Sequence, residues 1–138
     1  MPRISEIKKY VTDHIAQDII DTASAGGITY WATEPTDEEF AGLPAGKKWT
    51  IVEGVDDTGW GGVREVDEVH YLDADQIREA YADLLALDQD HVNRQIHGYI
   101  VESWLERDEK NGIDTSHIDA DAADAIVQLA ALGEIRYG

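Results

Sequence analysis

Apolar residues recur at the spacing of an α-helix in four segments of the chain. In the first segment, residues 12–25, an apolar face begins at Ile15, and Thr12 can accept the hydrogen bond that caps the N-terminus. The pair Gly26-Gly27 interrupts the pattern, and a glycine there can adopt the left-handed conformation that often ends a helix. We therefore predict a helix that ends at this glycine pair.

Three more helices are predicted in the second half of the chain. Residues 73–85 carry an apolar stripe, and a second helix is expected to begin with Asp90 as its cap and to end near Trp104. The last helix covers residues 120–132 and is followed by Gly133 as its C-cap.

Aromatic and β-branched residues predict short strands between and after these helices. Residues 28–31 form one strand, and residues 49–53 pair with residues 63–72 across a glycine-rich hairpin turn. A fourth strand at residues 134–137 is expected to join the sheet, because apolar residues alternate there. Residues 33–48 are polar, contain prolines and glycines, and are predicted to be a loop.

These elements indicate a fold of the α+β class. We predict a single domain over residues 1–138, in which a small antiparallel sheet is covered by about four helices. With 138 residues and 43% apolar content, the chain is long enough and apolar enough to bury a substantial core.

The chain is strongly acidic, with 29 Asp and Glu against 11 Lys and Arg and a formal net charge of -18. Residues 1–50 carry 8 acids and 5 bases, whereas residues 51–138 carry 21 acids and 6 bases. Such a surface repels nucleic acid and anionic membranes, so we expect neither as a direct partner. It can instead imitate nucleic acid. Salt adaptation or simple solubility would give the same composition.

The composition also excludes several kinds of site. The absence of cysteine excludes disulfides, thiolate metal sites and a cysteine nucleophile. Charges occur throughout the first twenty residues, and no apolar run reaches about 18 residues, so neither a signal peptide nor a transmembrane helix is expected. We therefore expect a cytoplasmic protein.

The segment GGITYW at residues 26–31 is the first candidate ligand site. Gly26 and Gly27 would allow a backbone or a ligand to approach closely, and Tyr30 and Trp31 offer rings on which a base can stack. The structural alternative is a helix C-cap followed by a core strand. Because successive strand residues point to opposite faces, we expect one ring in the core and the other free to bind.

The hairpin turn and two lysines complete the predicted site. Trp60 lies between glycines in the turn, so its ring can close over a ligand or fold back onto the sheet. Lys47 and Lys48, together with Lys8, Lys9 and Arg3, could form one positive patch that admits a small anion, or could be scattered surface charges. The predicted ligand-binding residues are therefore Gly26, Gly27, Tyr30, Trp31, Lys47, Lys48 and Trp60.

No complete catalytic or metal-binding motif is present. His14 and Asp18 share a helix face but supply at most two metal ligands, and the acids of residues 119–124 are typical of a helix N-terminus. The sequence lacks the HExxH, EF-hand and nucleophile-elbow patterns. We therefore predict no enzyme activity, no metal and no cofactor.

Two segments resemble small uncharacterised proteins of tailed bacteriophages, above all phages of actinobacteria. They are residues 15–32, which run from a helix into GGITYWA, and residues 121–138, DAADAIVQLAALGEIRYG. The resemblance implies a phage protein that acts in the cytoplasm of the host cell. It implies no catalytic residues.

Two functional hypotheses follow. In the first, the protein is a homo-oligomer that sequesters a small anionic nucleotide, a signal of bacterial immunity, through its aromatic rings and lysines. In the second, the acidic residues 51–138 imitate nucleic acid and inhibit a host DNA-binding or defence protein. A pocket that combines rings with lysines would favour the first hypothesis, and carboxylates spaced like phosphates would favour the second.

Overall fold

The computed structural model describes residues 3–138, and within them six α-helices and one three-stranded antiparallel sheet form the fold. This architecture confirms the predicted α+β class, and residues 1 and 2 of the predicted domain lie outside the described residues. The elements in chain order are α1 (Ile4–Tyr10), α2 (Asp13–Thr22), β1 (Ala32–Thr33), α3 (Asp37–Ala41), β2 (Trp49–Asp56), β3 (Arg64–Leu72), α4 (Ala74–Leu85), α5 (Arg94–Leu105) and α6 (Ala120–Leu132).

Five of the six described helices, all except α1, begin where the sequence supplies a capping side chain. Thr12 accepts a hydrogen bond from the Ile15 amide at the start of α2, and Asp119 accepts one from the Ala122 amide at the start of α6. Helix α6 covers the predicted residues and ends at Gly133, whose φ of 75° is left-handed.

The predicted start of α5 at Asp90 is wrong by several residues. The side chain of Asn93 caps this helix instead. The side-chain oxygen of Gln89 accepts hydrogen bonds from the amides of His91 and Val92, so the segment around Asp90 forms a turn before the helix begins.

Residues 28–31 form a tight turn rather than the predicted strand. The amides of Trp31 and Ala32 both donate to the carbonyl oxygen of Ile28, which is a helical pattern of hydrogen bonds. The strand begins only after this turn, and β1 consists of two residues paired with β2. The predicted loop at residues 33–48 likewise contains the short helix α3, which a capping box stabilises at its start.

Glycine is needed where α2 ends because another helix packs closely there. After α2 the Ile28 amide donates to the carbonyl oxygen of Ala23 and closes a single wide turn. Gly26 within this turn has an extended φ of 179°, so the helix does not continue regularly through Gly27. A Cβ atom at Gly27 would lie 2.5 Å from the carbonyl oxygen of Ala120, which is too close for any other residue without movement of α6. The neighbouring Gly26 has open space around it.

The C-terminal segment, residues 134–138, is not the predicted strand. The side-chain oxygen of Gln128 on α6 accepts hydrogen bonds from the amides of Arg136 and Tyr137 at 2.8 and 2.9 Å. Gln128 is 1% exposed, so its buried amide group takes the place of a partner strand. The segment therefore packs on α6 and directs two of its side chains toward the sheet.

The β2–β3 hairpin contains a β-bulge. Glu53 pairs with Glu68 and Gly54 pairs with Val66, so Asp67 is an extra residue in β3. The strand order is β1-β2-β3, which leaves the outer side of β3 without a partner strand in the described part of the chain.

The bulge reverses the alternation of side chains along β3. Arg64 and Tyr71 would lie on opposite faces of a regular strand, but both contact Glu39 of α3. A Cβ atom at Gly54, opposite the bulge, would lie 2.1 Å from the carbonyl oxygen of Glu65. Gly54 thus allows the two strands to approach closely where the outer half of the hairpin changes its orientation.

One hydrophobic core joins the sheet to the helices. It is built around fully buried side chains of α1, α2, α4, α5 and α6, together with Trp49 and Ile51 of β2 and Leu72 of β3. The fully buried members of this core include Ile7, Ile19, Leu72, Ile77, Tyr81, Leu84, Ile100, Ile126 and Val127. None of the described helices is both long enough and apolar enough to cross a membrane.

Candidate functional site

Tyr30 and Trp31 separate into one accessible ring and one buried ring. Trp31 is 2% exposed, whereas Tyr30 is 52% exposed. Both donate hydrogen bonds to the carboxylate of Asp124 on α6, the Tyr30 hydroxyl at 2.6 Å and the Trp31 indole N–H at 2.8 Å. The expected separation therefore occurs, but a turn fixed by one carboxylate produces it rather than the alternation of a strand.

The side chain of Gln128 extends this network. Its Nε2 atom lies 2.9 Å from Asp124 Oδ1 and 3.2 Å from the Tyr30 hydroxyl. Partial burial and the neighbouring Asp124 carboxylate raise the pKa of Tyr30, so its hydroxyl remains a hydrogen-bond donor at neutral pH. The Tyr30 ring is thereby held in one position although half of it is exposed.

A second buried carboxylate, that of Glu53 on β2, holds the C-terminal segment. Glu53 is 2% exposed and accepts a hydrogen bond from the Tyr137 hydroxyl at 2.5 Å. It also contacts the Arg136 guanidinium at 2.9 Å and Nε2 of His70 at 3.0 Å. Tyr137 in turn stacks on Trp31 with ring centres 5.5 Å apart and an interplanar angle of 3°. The two buried carboxylates therefore belong to one connected structure.

The surroundings of Glu53 favour its ionised form. Burial opposes ionisation, but hydrogen bonds from Tyr137, His70 and Arg136 outweigh it and hold the pKa of this carboxyl below its usual range. The hydrogen bond to Glu53 and partial burial raise the pKa of Tyr137. Glu53 therefore carries the negative charge, and Tyr137 keeps its proton and donates it to the carboxylate in a hydrogen bond.

A cleft of about 420 Å³ opens beside the Tyr30 ring. Its walls are the start of α5, one face of α6 and the C-terminal segment. The residues that line it are Tyr30, His91, Val92, Asn93, Ile96, Asp121, Asp124, Ala125, Gln128, Ile135, Tyr137 and Gly138. This set contains two tyrosine rings, one histidine and two aspartate carboxylates, and no lysine or arginine.

The outer half of the β2–β3 hairpin, residues 55–66, is hereafter named the arm. Trp60 at its tip is 93% exposed, and three valines of the same segment, Val55, Val63 and Val66, are exposed as well. The arm also carries exposed carboxylates, which are Asp56, Asp57 and Glu65. An exposed apolar surface with charged neighbours is typical of a surface that binds another molecule.

Lys47 and Lys48 form ion pairs within the molecule. Lys47 contacts Asp73 at 3.0 Å and Gln76 at 2.8 Å, and Lys48 lies 3.6 Å from Asp13. Among the described residues, six of the 11 Lys and Arg side chains form ion pairs with carboxylates. Most of the positive charge is therefore already neutralised by the protein itself.

The predicted ligand-binding residues do not converge on one site. Gly27, Tyr30 and Trp31 lie together beside α6. The two lysines precede β2 and Trp60 follows it, so the length of an eight-residue strand, roughly 25 Å, separates them. Hence the rings and lysines that the first hypothesis combines occupy three different parts of the molecule.

The acidic surface predicts a response to salt. Repulsion among carboxylates at a net charge of -18 weakens the folded state at low ionic strength, and salt screens it. We expect the melting temperature to rise between low salt and about 0.15 M NaCl, where the Debye length is about 8 Å. Differential scanning calorimetry at constant pH measures it. A flat profile would mean that the carboxylates are too widely spaced to repel each other.

Glu53, Glu68 and His70 have ligand atoms within 4.8 Å of one another, as a metal site requires. The Arg136 guanidinium contacts Glu53 at the same point and places a positive charge there. Because that charge opposes a second cation, the arrangement fits a structural ion pair better than a metal centre. The carboxylate also orients the His70 ring, but His70 does not line the cleft beside Tyr30.

A second group of this kind, Glu106, Asp114 and His117, lies on the surface. The Glu106 carboxylate raises the pKa of His117, so this histidine carries positive charge over a wider pH range. His14 and Asp18 lie 3.6 Å apart on the surface of α2. These groups are typical of surface ion pairs in an acidic protein.

Sequence reasoning missed the contact between Glu53 and His70. The two residues are 17 positions apart, and each has an unremarkable neighbourhood in the sequence. The hairpin register could have indicated it, since His70 pairs with Ile51, two residues before Glu53 on β2. The role of Gln128 as a partner for the C-terminal segment has no comparable signal in the sequence.

Comparisons of the chain with protein-family models, curated proteins and solved structures find no match. The resemblance to phage proteins therefore stays a prediction. The features of the molecule that bear on function are its negative charge, the exposed arm and the cleft beside Tyr30.

Proposed function

We propose that the protein has no enzymatic activity and binds a basic protein surface, as an acidic imitation of nucleic acid. Its partner is a DNA-binding or defence protein of the host cell, and the arm is the centre of the contact. The observation that carries the proposal is the side chain of Trp60, which is 93% exposed at the tip of an acidic hairpin.

The arm has the composition of an interface. Tryptophan is enriched among the few residues that supply most of the energy of protein binding, and apolar neighbours exclude water around it. Val55, Val63 and Val66 are exposed on the same segment as Trp60. A partner that offers an apolar pocket with basic residues at its rim would contact both the ring and the carboxylates of the arm.

The charge of the whole molecule supports the same partner. A field of this strength accelerates association with a positive surface and slows it with nucleic acid or an anionic membrane. Six of the basic side chains are paired internally, so the carboxylates dominate the surface that a partner meets. DNA-binding surfaces are the common protein surfaces with matching positive charge.

The geometry gives less support to sequestration of an anionic nucleotide. The cleft beside Tyr30 contains Asp121 and Asp124, and its lining includes His91 but no lysine or arginine. Lys47 and Lys48 are ion-paired at a distance from it. An anion in this cleft would meet two carboxylates, and no lysine or arginine lines the cleft to offset them.

Replacing Trp60 by alanine tests the proposal. The tagged protein is used to capture partners from an actinobacterial lysate, and a captured DNA-binding protein is purified and measured by titration calorimetry. We expect duplex DNA to compete for that protein and Trp60→Ala to weaken its binding by at least about tenfold. The fold should survive, because the side chain is exposed.

Leu87→Ala is the matched control, since Leu87 is 86% exposed and lies outside the arm. It should leave the affinity unchanged. The proposal is wrong if Trp60→Ala binds as tightly as the wild type, or if DNA does not compete. Heat from a panel of cyclic nucleotides, with no DNA-binding protein captured, would instead support the sequestration hypothesis.

A further inference from the structure

We infer that the cleft beside Tyr30 binds an organic cation with a flat or apolar body, such as a guanidinium or a substituted ammonium group. This site is separate from the arm, and the inference does not depend on the proposed function. It follows from the shape of the cleft, from its aromatic rings and from the sign of its charge.

The cleft has the size and lining of a small-molecule site. Its volume of about 420 Å³ lies within the range of ordinary ligand pockets. Ile96, Ala125 and Ile135 supply apolar surface, and the rings of Tyr30 and Tyr137 supply aromatic surface. A ligand with an apolar or planar body can therefore be removed from water on several sides.

The charge of the cleft selects the sign of the ligand. Asp121 lies in the first turn of α6. Among the described residues, its side chain forms no hydrogen bond or ion pair. Asp124 is also present, but three hydrogen-bond donors already contact it, from Tyr30, Trp31 and Gln128. The free carboxylate of Asp121 is thus available to a cation, and the lining residues include no lysine or arginine that would compete.

The Tyr30 ring is prepared for such a ligand. Hydrogen bonds to Asp124 and Gln128 fix its hydroxyl, while 52% of the residue remains exposed. A fixed aromatic face attracts a cation through its quadrupole, and Arg side chains use such faces most often. Because the hydrogen bonds hold the Tyr30 side chain before binding, little of its conformational entropy is lost when a ligand binds.

The same chemistry has two sources in a cell. The cation can be the side chain of an arginine or lysine in a partner protein, or a free amine such as agmatine. Both present a positive group on an apolar stem, so both fit the charge and the lining of the cleft. The experiment therefore includes a probe for each source.

Titration followed by nuclear magnetic resonance of the labelled protein tests the inference. The probes are agmatine and N-acetyl-arginine amide, with N-acetyl-citrulline amide as the neutral control, all at constant ionic strength. We expect both cations to give saturable shifts at Tyr30, Asn93 and Asp121, and the citrulline compound to give none. Tighter binding of agmatine would indicate a free amine, and tighter binding of the amide a protein side chain.

Asp121→Asn should weaken binding of the cation by about two- to fivefold, since an exposed ion pair contributes little more. Asp37→Asn is the matched control, because Asp37 is an exposed first-turn acid of α3 and its replacement removes the same charge. Tyr30→Leu removes the aromatic face and should weaken binding further, and thermal unfolding verifies that each variant is folded. Equal shifts with citrulline, or equal losses in both Asp variants, would overturn the inference.

Discussion

Replacing Glu53 by alanine is expected to lower the free energy of unfolding by about 3–5 kcal/mol. The carboxylate is 2% exposed and binds three groups, the Tyr137 hydroxyl, the Arg136 guanidinium and the His70 ring. Its removal leaves these groups without their buried acceptor and detaches the C-terminal segment from the sheet. Urea denaturation followed by circular dichroism measures the loss.

Two variants separate the role of the charge from that of the shape. Glu53→Gln retains an oxygen acceptor and should cost less than alanine, while Glu65→Gln removes an exposed charge from the same sheet and should cost little. If Glu53→Ala were no more destabilising than Glu65→Gln, the buried network would not stabilise the fold.

The effect of Glu53 should depend on pH in a defined direction. Its pKa is lower in the folded protein than the ordinary value of about 4.3 for an unfolded chain. Its ionised form therefore stabilises the fold above that value, and the contribution disappears as the pH falls through the folded pKa. The difference in unfolding free energy between wild type and Glu53→Gln should be largest near neutral pH and should shrink in acid.

Replacing Trp31 by alanine should cost a comparable amount, about 3–5 kcal/mol, because a large buried ring leaves a cavity. The ring stacks on Tyr137, and its N–H donates to Asp124. The loss therefore includes packing on the C-terminal segment as well as a hydrogen bond to a buried carboxylate. Urea denaturation monitored by circular dichroism gives the magnitude.

Trp31→Phe isolates the second contribution. Phenylalanine keeps an aromatic ring against Tyr137 but cannot donate to Asp124, so it should cost about 1–3 kcal/mol. A phenylalanine variant as unstable as the alanine variant would show that the hydrogen bond, and not the stacking, dominates. Full stability of both variants would contradict the assignment of Trp31 to the core.

The elements with a regular period were predictable from the sequence. Helix α6 has the predicted bounds because its apolar face, the Asp119 cap and Gly133 all agree. The β2–β3 hairpin follows from its alternating residues and its glycine-rich turn. In these segments local preference and burial act in the same direction.

The errors arose where a side chain replaces a backbone partner. Gln128 binds the amides of the C-terminal segment, so residues 134–137 alternate like a strand without joining the sheet. Asp124 holds Tyr30 and Trp31 in a turn whose residues have high strand preference. Neither contact is visible from spacing, because the partners are far apart in the sequence.

In the candidate site, too, some features were predictable from the sequence and others were not. The sequence predicted that one of the rings of Tyr30 and Trp31 is exposed, and it left open whether Trp60 folds back onto the sheet. In the structure Tyr30 and Trp60 are exposed and Trp31 is buried. Their separation, the pairing of Lys47 and Lys48 with acids, and the cleft itself depend on tertiary packing. Composition gave the sign of the charge, and only the fold gave its position.

The acidity of the chain also affects aggregation, because the outer side of β3 has no partner strand in the described part of the chain. An edge strand presents free N–H and C=O groups that another copy can extend into a continuous sheet. On β3 this edge carries a bulge and the exposed carboxylates of Glu65, Asp67 and Glu68. Two copies joined at this edge would bring these like charges together, which destabilises the pairing. The carboxylates that suit a basic partner should therefore also oppose the pairing of two copies through β3.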